Sequence, residues 1–131
     1  MKVVLDTNVL VSGIFYGGIP GEILEAWLRG RLTACATPLI LVEYLVALED
    51  LGSKDPDLAA RWKRLLPKLC QVIPDLEAYP ALSRDPTDDK FLFCAVRVRA
   101  ECLVTGDKDI KVLEGKFPFR ILSPREFLKL L

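Results

Sequence analysis

The sequence predicts an α/β protein built on a mostly parallel sheet covered by helices on both faces. Two observations carry this. Five short apolar runs, 2–5, 32–36, 69–73, 101–105 and 119–122, alternate with longer segments whose apolar residues recur at helical spacing. Strands that alternate with helices in this way imply parallel strands joined by crossovers. The 131 residues suit one domain, 1–131, with no internal repeat, low-complexity segment or linker to divide it.

The elements follow in order. The run Lys2-Val3-Val4-Leu5 reads as a buried strand and breaks into the polar triplet Asp6-Thr7-Asn8. An apolar stretch at 9–15 begins a short helix, and Gly17-Gly18-Ile19-Pro20-Gly21 reads as a loop that opens the next one. That helix, 22–29, carries Ile23, Leu24, Trp27 and Leu28 on one stripe, and Gly30 ends it. Pro38 opens a long apolar helix reaching Leu48 or beyond. A polar segment at 52–56 leads to an amphipathic helix, 57–66, that Pro67 is expected to stop. The stretch 74–88, with prolines at 74, 80 and 86, reads mostly as loop, and a helix follows at 90–99. After the fourth strand come a turn at 106–109 and one helical turn at 110–113. Ser123-Pro124-Arg125-Glu126 is a capping box with proline at the first helical position, so the chain ends in a helix.

Composition narrows the function. Lys plus Arg and Asp plus Glu both number 18, a formal balance that argues against non-specific duplex binding. There is no histidine, which excludes Ser-His-Asp triads, His-paired cysteine nucleophiles and His-based ribonucleases. The four cysteines, at 35, 70, 94 and 102, form no C-x-x-C pair and sit in apolar surroundings, so buried reduced thiols are expected. The chain shows no signal peptide and no apolar run of membrane-spanning length, and a cytoplasmic protein is expected.

The candidate chemistry is carboxylate chemistry. Asp6 stands at the carboxyl tip of the first strand, where open α/β sheets bind their ligands; an N-cap is its plain structural role. Asn8 and Ser12 lie near enough in sequence to orient it. Glu43 is the sole acid within the apolar run 38–48, which carries apolar residues on every side and predicts a largely buried carboxylate, with a glutamate reaching solvent along a partly exposed face as the alternative. No Lys or Arg stands at i±3 or i±4 from it, so its partner must be non-local: a distant cation, a metal or a proton. Asp85-Pro86-Thr87-Asp88-Asp89 holds three acids in five residues before a helix, more than capping needs, and at most one of Asp88 and Asp89 should face a given site. Asp107, in Thr105-Gly106-Asp107-Lys108-Asp109, ends the fourth strand and would face Asp6 if those strands are neighbours across the switch point; turn chemistry is the alternative. Converging carboxylates need a cation, and an all-oxygen donor set suits Mg²⁺ or Mn²⁺, which implies phosphodiester hydrolysis.

Four segments together resemble the PIN domain family of ribonucleases: Val4-Leu5-Asp6-Thr7-Asn8-Val9-Leu10, Thr37-Pro38 through Glu43, Asp85-Pro86-Thr87-Asp88-Asp89-Lys90-Phe91-Leu92, and Val104-Thr105-Gly106-Asp107-Lys108-Asp109. The wording is most similar to the PIN-family toxins of toxin–antitoxin pairs, related to VapC. The resemblance implies a three-layer α/β/α sandwich with a parallel sheet of order 3-2-1-4-5. It implies Mg²⁺- or Mn²⁺-dependent endonucleolytic cleavage of single-stranded RNA and an antitoxin partner; separately, helices rich in Leu, Trp and Tyr leave room for a homodimer face, with core packing as the alternative. By motif, Asp6, Glu43, Asp89 and Asp107 would be the catalytic metal ligands, with Asp89 preferred to Asp88 by its spacing from Asp107. Asp109 matches an accessory acid, and Asn8, Ser12 and Thr105 match supporting polar residues. Arg84 and Lys108, beside the site in sequence, are candidates to hold the RNA backbone, with solvated surface charge as the alternative. Two other functions remain to be weighed: a silent PIN-fold module that binds protein or RNA, and a different Mg²⁺-dependent phosphatase or phosphoacceptor. Asn8 stands where a dehalogenase-type phosphatase needs a second Asp, and Pro74-Asp75 is a poor receiver site.

Overall fold

A computed structural model describes residues 1–75 and 86–131. The sheet runs in the order 3-2-1-4-5, with every neighbouring pair parallel. Its strands are β1 (Lys2–Leu5), β2 (Thr33–Ala36), β3 (Gln71–Val72), β4 (Cys102–Val104) and β5 (Arg120–Leu122). Helices flank the sheet to give the α/β/α architecture of a PIN-like fold: α1 (Thr7–Phe15), α2 (Gly18–Leu28), α3 (Pro38–Leu51), α4 (Pro56–Leu69), α5 (Asp89–Val98), α6 (Lys108–Lys111) and α7 (Pro124–Leu128). Short 3₁₀ turns, Gly52–Lys54 and Pro86–Asp88, precede α4 and α5.

The core is the sheet with the inward faces of its helices. Val3, Val4, Leu103 and Ile121 are fully buried, as continuous apolar strands in a doubly covered sheet require. α5 lies against β1, β2 and β4, while α7 covers β4 and β5 and meets α2. All four cysteines are buried and free, and burial pushes the Cys70 and Cys94 thiols up to about 12, out of thiolate chemistry at neutral pH. No single helix among the described residues is long and apolar enough to cross a membrane.

Several boundaries differ from the sequence reading, each for a physical reason. α2 begins at Gly18, so most of the expected loop at 17–21 is helical; Gly17, at φ 71°, turns the chain and Pro20 sits in the first turn, where a missing N–H costs little. The turn lets α1 and α2 meet at 95°, with Gly13 at the crossing. Proline 67 does not stop α4. It falls in the last turn and forfeits one hydrogen bond, while buried Trp62 and Leu66 anchor the helix and Cys70 N–H still reaches the Leu66 carbonyl at 3.0 Å. Leu69 is thereby taken from β3, which keeps two residues, although Ile73 N–H bonds the Ala36 carbonyl at 2.9 Å. The turn expected at 106–109 is partly the first residues of α6, capped by Asp107. The predicted capping box on α7 is present in both directions.

Candidate active site

The strand order reverses between β1 and β4, and the crevice beyond the carboxyl ends of those parallel strands is the switch point of the fold. Leu5 pairs with Val104, so Asp6 and Thr105 are the first residues past the two strand ends. Asp6 N–H bonds the Val104 carbonyl at 3.0 Å, which continues the ladder and fixes the acid's backbone.

Asp6 occupies the N-cap position of α1, and its carbonyl accepts from Val9 and Leu10. Its side chain does not close the cap. Thr105 Oγ1 instead donates to Asp6 Oδ2 at 2.7 Å, in a buried bond that joins the two strand tips. Only 7% of Asp6 is exposed. Burial pushes its carboxyl above the usual range; the Thr105 hydroxyl and the Asn8 backbone amide oppose this, and the charges of Asp107 and Glu43 add to it. Asp6 is therefore a desolvated carboxylate that feels two other acids.

Asp107 is half-buried and N-caps α6: its N–H bonds Thr105 Oγ1 at 3.0 Å, and its Oδ1 accepts from Asp109 N–H at 2.8 Å. The Thr105 hydroxyl thus links Asp6 to the Asp107 backbone with one donor and one acceptor. Asp107 fills the turn role, and its charge also acts on the Asp6 carboxyl. Asp109 and Lys108 are exposed.

Glu43 is not buried as its apolar helix implied. α3 is covered on the side of Ile40, Tyr44 and Leu48, while Leu39, Val42 and Val46 form an exposed stripe. The Glu43 side chain sits at the edge between them, 36% exposed. Its partner is non-local, as the sequence required: Lys90 Nζ lies 2.7 Å from Oε1, and Thr7 Oγ1 donates to Oε2. Asp89 is buried at the first position of α5 and Asp88 is half-buried just before it.

The remaining expected residues are less engaged. Asn8 is exposed and acts on Asp6 through its backbone amide. Ser12 contributes its carbonyl to Tyr16 and Gly17 N–H, with no hydrogen bond from its hydroxyl to Asp6. Arg84, and with it Asp85, lies outside the described residues. Asp75 Oδ2 accepts from Leu39 N–H at 2.8 Å, so it serves the start of α3 rather than a receiver chemistry.

Three residues escaped the sequence reading. Thr7 holds Glu43, and its signal was its place inside the triplet with Asp6. Lys90 holds the other oxygen of Glu43, and its signal was the demand for a distant cation. Tyr44, 2% exposed, donates from its hydroxyl to the Leu5 carbonyl at 2.5 Å and so braces α3 against the strand end that carries Asp6. Burial pushes the Tyr44 phenol far up, so it remains a donor.

The donors are all oxygens, which suits a hard divalent cation. The raised carboxyl of Asp6, pushed further by Asp107 and Glu43, is the electrostatic signature of acids that a cation would relieve. Among the described residues no three acidic side chains are drawn together tightly enough to hold one ion, and Glu43 is turned to Lys90 and Thr7. The donor chemistry fits a metal, and completing the site needs side-chain movement within a fixed backbone.

Comparison with known proteins gives matches at the level of family and of fold. A family model described as PIN domain matches residues 2–109. A chain of VapBC2 from Rickettsia felis, in a crystal structure of that complex bound to a DNA fragment from its promoter, shares the fold with a TM-score of 0.64 at 17% identity, over 94% of this chain and 98% of that one. No curated protein matches.

Proposed function

The chain belongs to the PIN domain family, and on that premise we propose that it is a Mg²⁺- or Mn²⁺-dependent endoribonuclease of single-stranded RNA, the toxin of a toxin–antitoxin pair in the cytoplasm. The observation that carries the reading is Asp6: a buried carboxylate at the switch point, tied to Thr105 and repelled by Asp107 and Glu43. A structural acid would have been given a cation or more donors. Asp6 has the Thr105 hydroxyl and the Asn8 amide, which oppose its rise without offsetting its burial.

Asp6, Glu43, Asp89 and Asp107 are the residues we assign to the ion, with Asp109 as an accessory acid. When bound, the ion would polarise the phosphodiester, lower the pKa of a water and stabilise the departing 3′ oxygen, leaving 5′-phosphate and 3′-hydroxyl ends. The chain's own residues position these groups. Thr105 fixes the Asp6 carboxylate and, through the Asp107 N–H, the turn that presents Asp107. Tyr44 fixes the strand end behind Asp6, and Thr7 aims Glu43 from the first residue of α1. Lys108, exposed beside Asp107, is assigned to the RNA backbone, as is Arg84 by its sequence position.

For partners, the likeness to a VapBC2 chain motivates the antitoxin. Leu39 (48% exposed), Val42 (56%) and Val46 (54%) supply an apolar stripe beside Glu43 that suits an antitoxin segment or a second copy of the chain.

The test is cleavage of mixed single-stranded RNAs by purified protein with Mn²⁺, with Mg²⁺ and with chelator, beside Asp6→Asn. Metal-dependent cleavage that Asp6→Asn abolishes without unfolding the protein is the expected result. Full activity in Asp6→Asn would refute the assignment. Tight metal-dependent RNA binding without cleavage would favour a binding module, and a stable acylphosphate on the protein would favour a phosphotransfer enzyme.

A further inference from the structure

Both oxygens of Glu43 are engaged, and one of them by a cation. Lys90 Nζ stands 2.7 Å from Oε1, and the lysine side chain is only 13% exposed. Its ammonium also donates to the Thr87 carbonyl and lies 4.9 Å from the centre of the Phe91 ring. A carboxylate, a carbonyl and an aromatic face thus surround one ammonium, in contrast to the solvent-facing pair Arg29–Glu25, whose side chains are 71% and 60% exposed. Lysine follows Asp89 directly, so the start of α5 brings a buried acid and a sheltered cation to the site together.

We infer that Lys90 is the resident counter-cation of this site and that a divalent ion gains Glu43 by displacing its ammonium. The inference rests on the metal-site reading above and adds a step to it. Without an ion, the ammonium sets a positive charge against Glu43, whose own charge acts on Asp6. With a divalent ion on Glu43, an ammonium at contact distance would face a like charge, so the two exchange. The geometry allows the exchange without moving a helix. Lys90 reaches Glu43 on a flexible four-carbon stem, and the Thr87 carbonyl, three residues back on the same segment, keeps hold of the ammonium after release. Glu43 remains tethered through Oε2 by Thr7 while Oε1 changes partner. Lys90 acts here as a positioning residue, through Glu43, and it sets how much metal the site demands.

The experiment is calorimetric titration of Mn²⁺ into the wild type, Lys90→Met and Lys90→Arg, each first shown to be folded by circular dichroism. Lys90→Met keeps the stem and removes the charge, and should bind Mn²⁺ about tenfold more tightly than the wild type; Lys90→Arg, which keeps the charge, should not. Equal or weaker binding by Lys90→Met would overturn the inference, because a mere scaffold for Glu43 predicts that result. A second readout follows the lysine itself. The Lys90 ammonium resonance in ¹H–¹⁵N NMR, identified by its loss in Lys90→Arg, should be protected from exchange in chelator and lose protection when Mg²⁺ is added. An unchanged resonance at saturating Mg²⁺ would overturn the displacement. The two levels of the argument separate cleanly. Mn²⁺ binding lost in Asp6→Asn but unaltered in Lys90→Met removes only the role of Lys90, whereas no Mn²⁺ binding by any of these proteins removes the metal site as well.

Discussion

Thr105→Val tests the centre of the site while preserving its shape. Valine replaces the hydroxyl with a methyl group of similar size, so packing at a residue that is 1% exposed should change little. Two hydrogen bonds disappear: the one donated to Asp6 Oδ2 at 2.7 Å and the one accepted from Asp107 N–H at 3.0 Å. A hydrogen bond to a charged group contributes roughly 1.5–3 kcal/mol and a neutral one about 1 kcal/mol. With the Asp107 amide half-solvated, the expected loss at pH 7 in chelator is about 2–3 kcal/mol. The loss should depend on pH, with a definite sign. The Asp6 carboxyl is raised in the folded state, so its contribution to stability is present in full below the unfolded value near 3.8 and is lost as pH rises through the folded value. The Thr105 hydroxyl holds that folded value down; removing it moves the value further up and deepens the loss toward neutrality. At pH 4 more of folded Asp6 is protonated than at pH 7, so the same substitution should cost less there, toward the worth of neutral bonds. Urea unfolding at pH 4 and pH 7 measures both, as a shift in midpoint with unchanged slope. A loss equal at the two pH values, or larger in acid, would refute the view that the hydroxyl serves an ionised Asp6.

Two other substitutions address the frame that carries the acids. Tyr44→Phe keeps the buried ring and deletes the donor to the Leu5 carbonyl; it should cost about 1–3 kcal/mol by urea unfolding, with near-native stability refuting the bond. Gly13→Ala should destabilise by about 1–2 kcal/mol despite better helix propensity, since its Cβ would stand 2.7 Å from Leu24 Cδ1 and 2.8 Å from the Pro20 carbonyl; a higher melting temperature would refute the close helix crossing.

What the sequence disclosed about this fold and site follows from the range over which each signal acts. The strand–helix alternation, the capping box at Ser123 and the acid at the tip of the first strand are local features, and the structure has them in place. The adjacency of Asp6 and Thr105 was reachable because topology, not detail, makes β1 and β4 neighbours. Proline 67 was misjudged because the local rule against proline was outweighed by distant packing at Trp62 and Leu66. Glu43 shows the limit most plainly. An apolar helix with residues on every side does not say which side will be covered, and here the Val42 side is not. The sequence could establish that Glu43 needed a non-local partner, because burial without one is costly. It could not choose among cation, metal and proton, since that choice is made where α3 meets α5. The structure answers with Lys90, while the Asp6 carboxyl is raised chiefly by its own burial, to which the charges of Asp107 and Glu43 add. On the proposed metal-site reading, the Lys90–Glu43 pair is the contact that a divalent ion must open to reach Glu43.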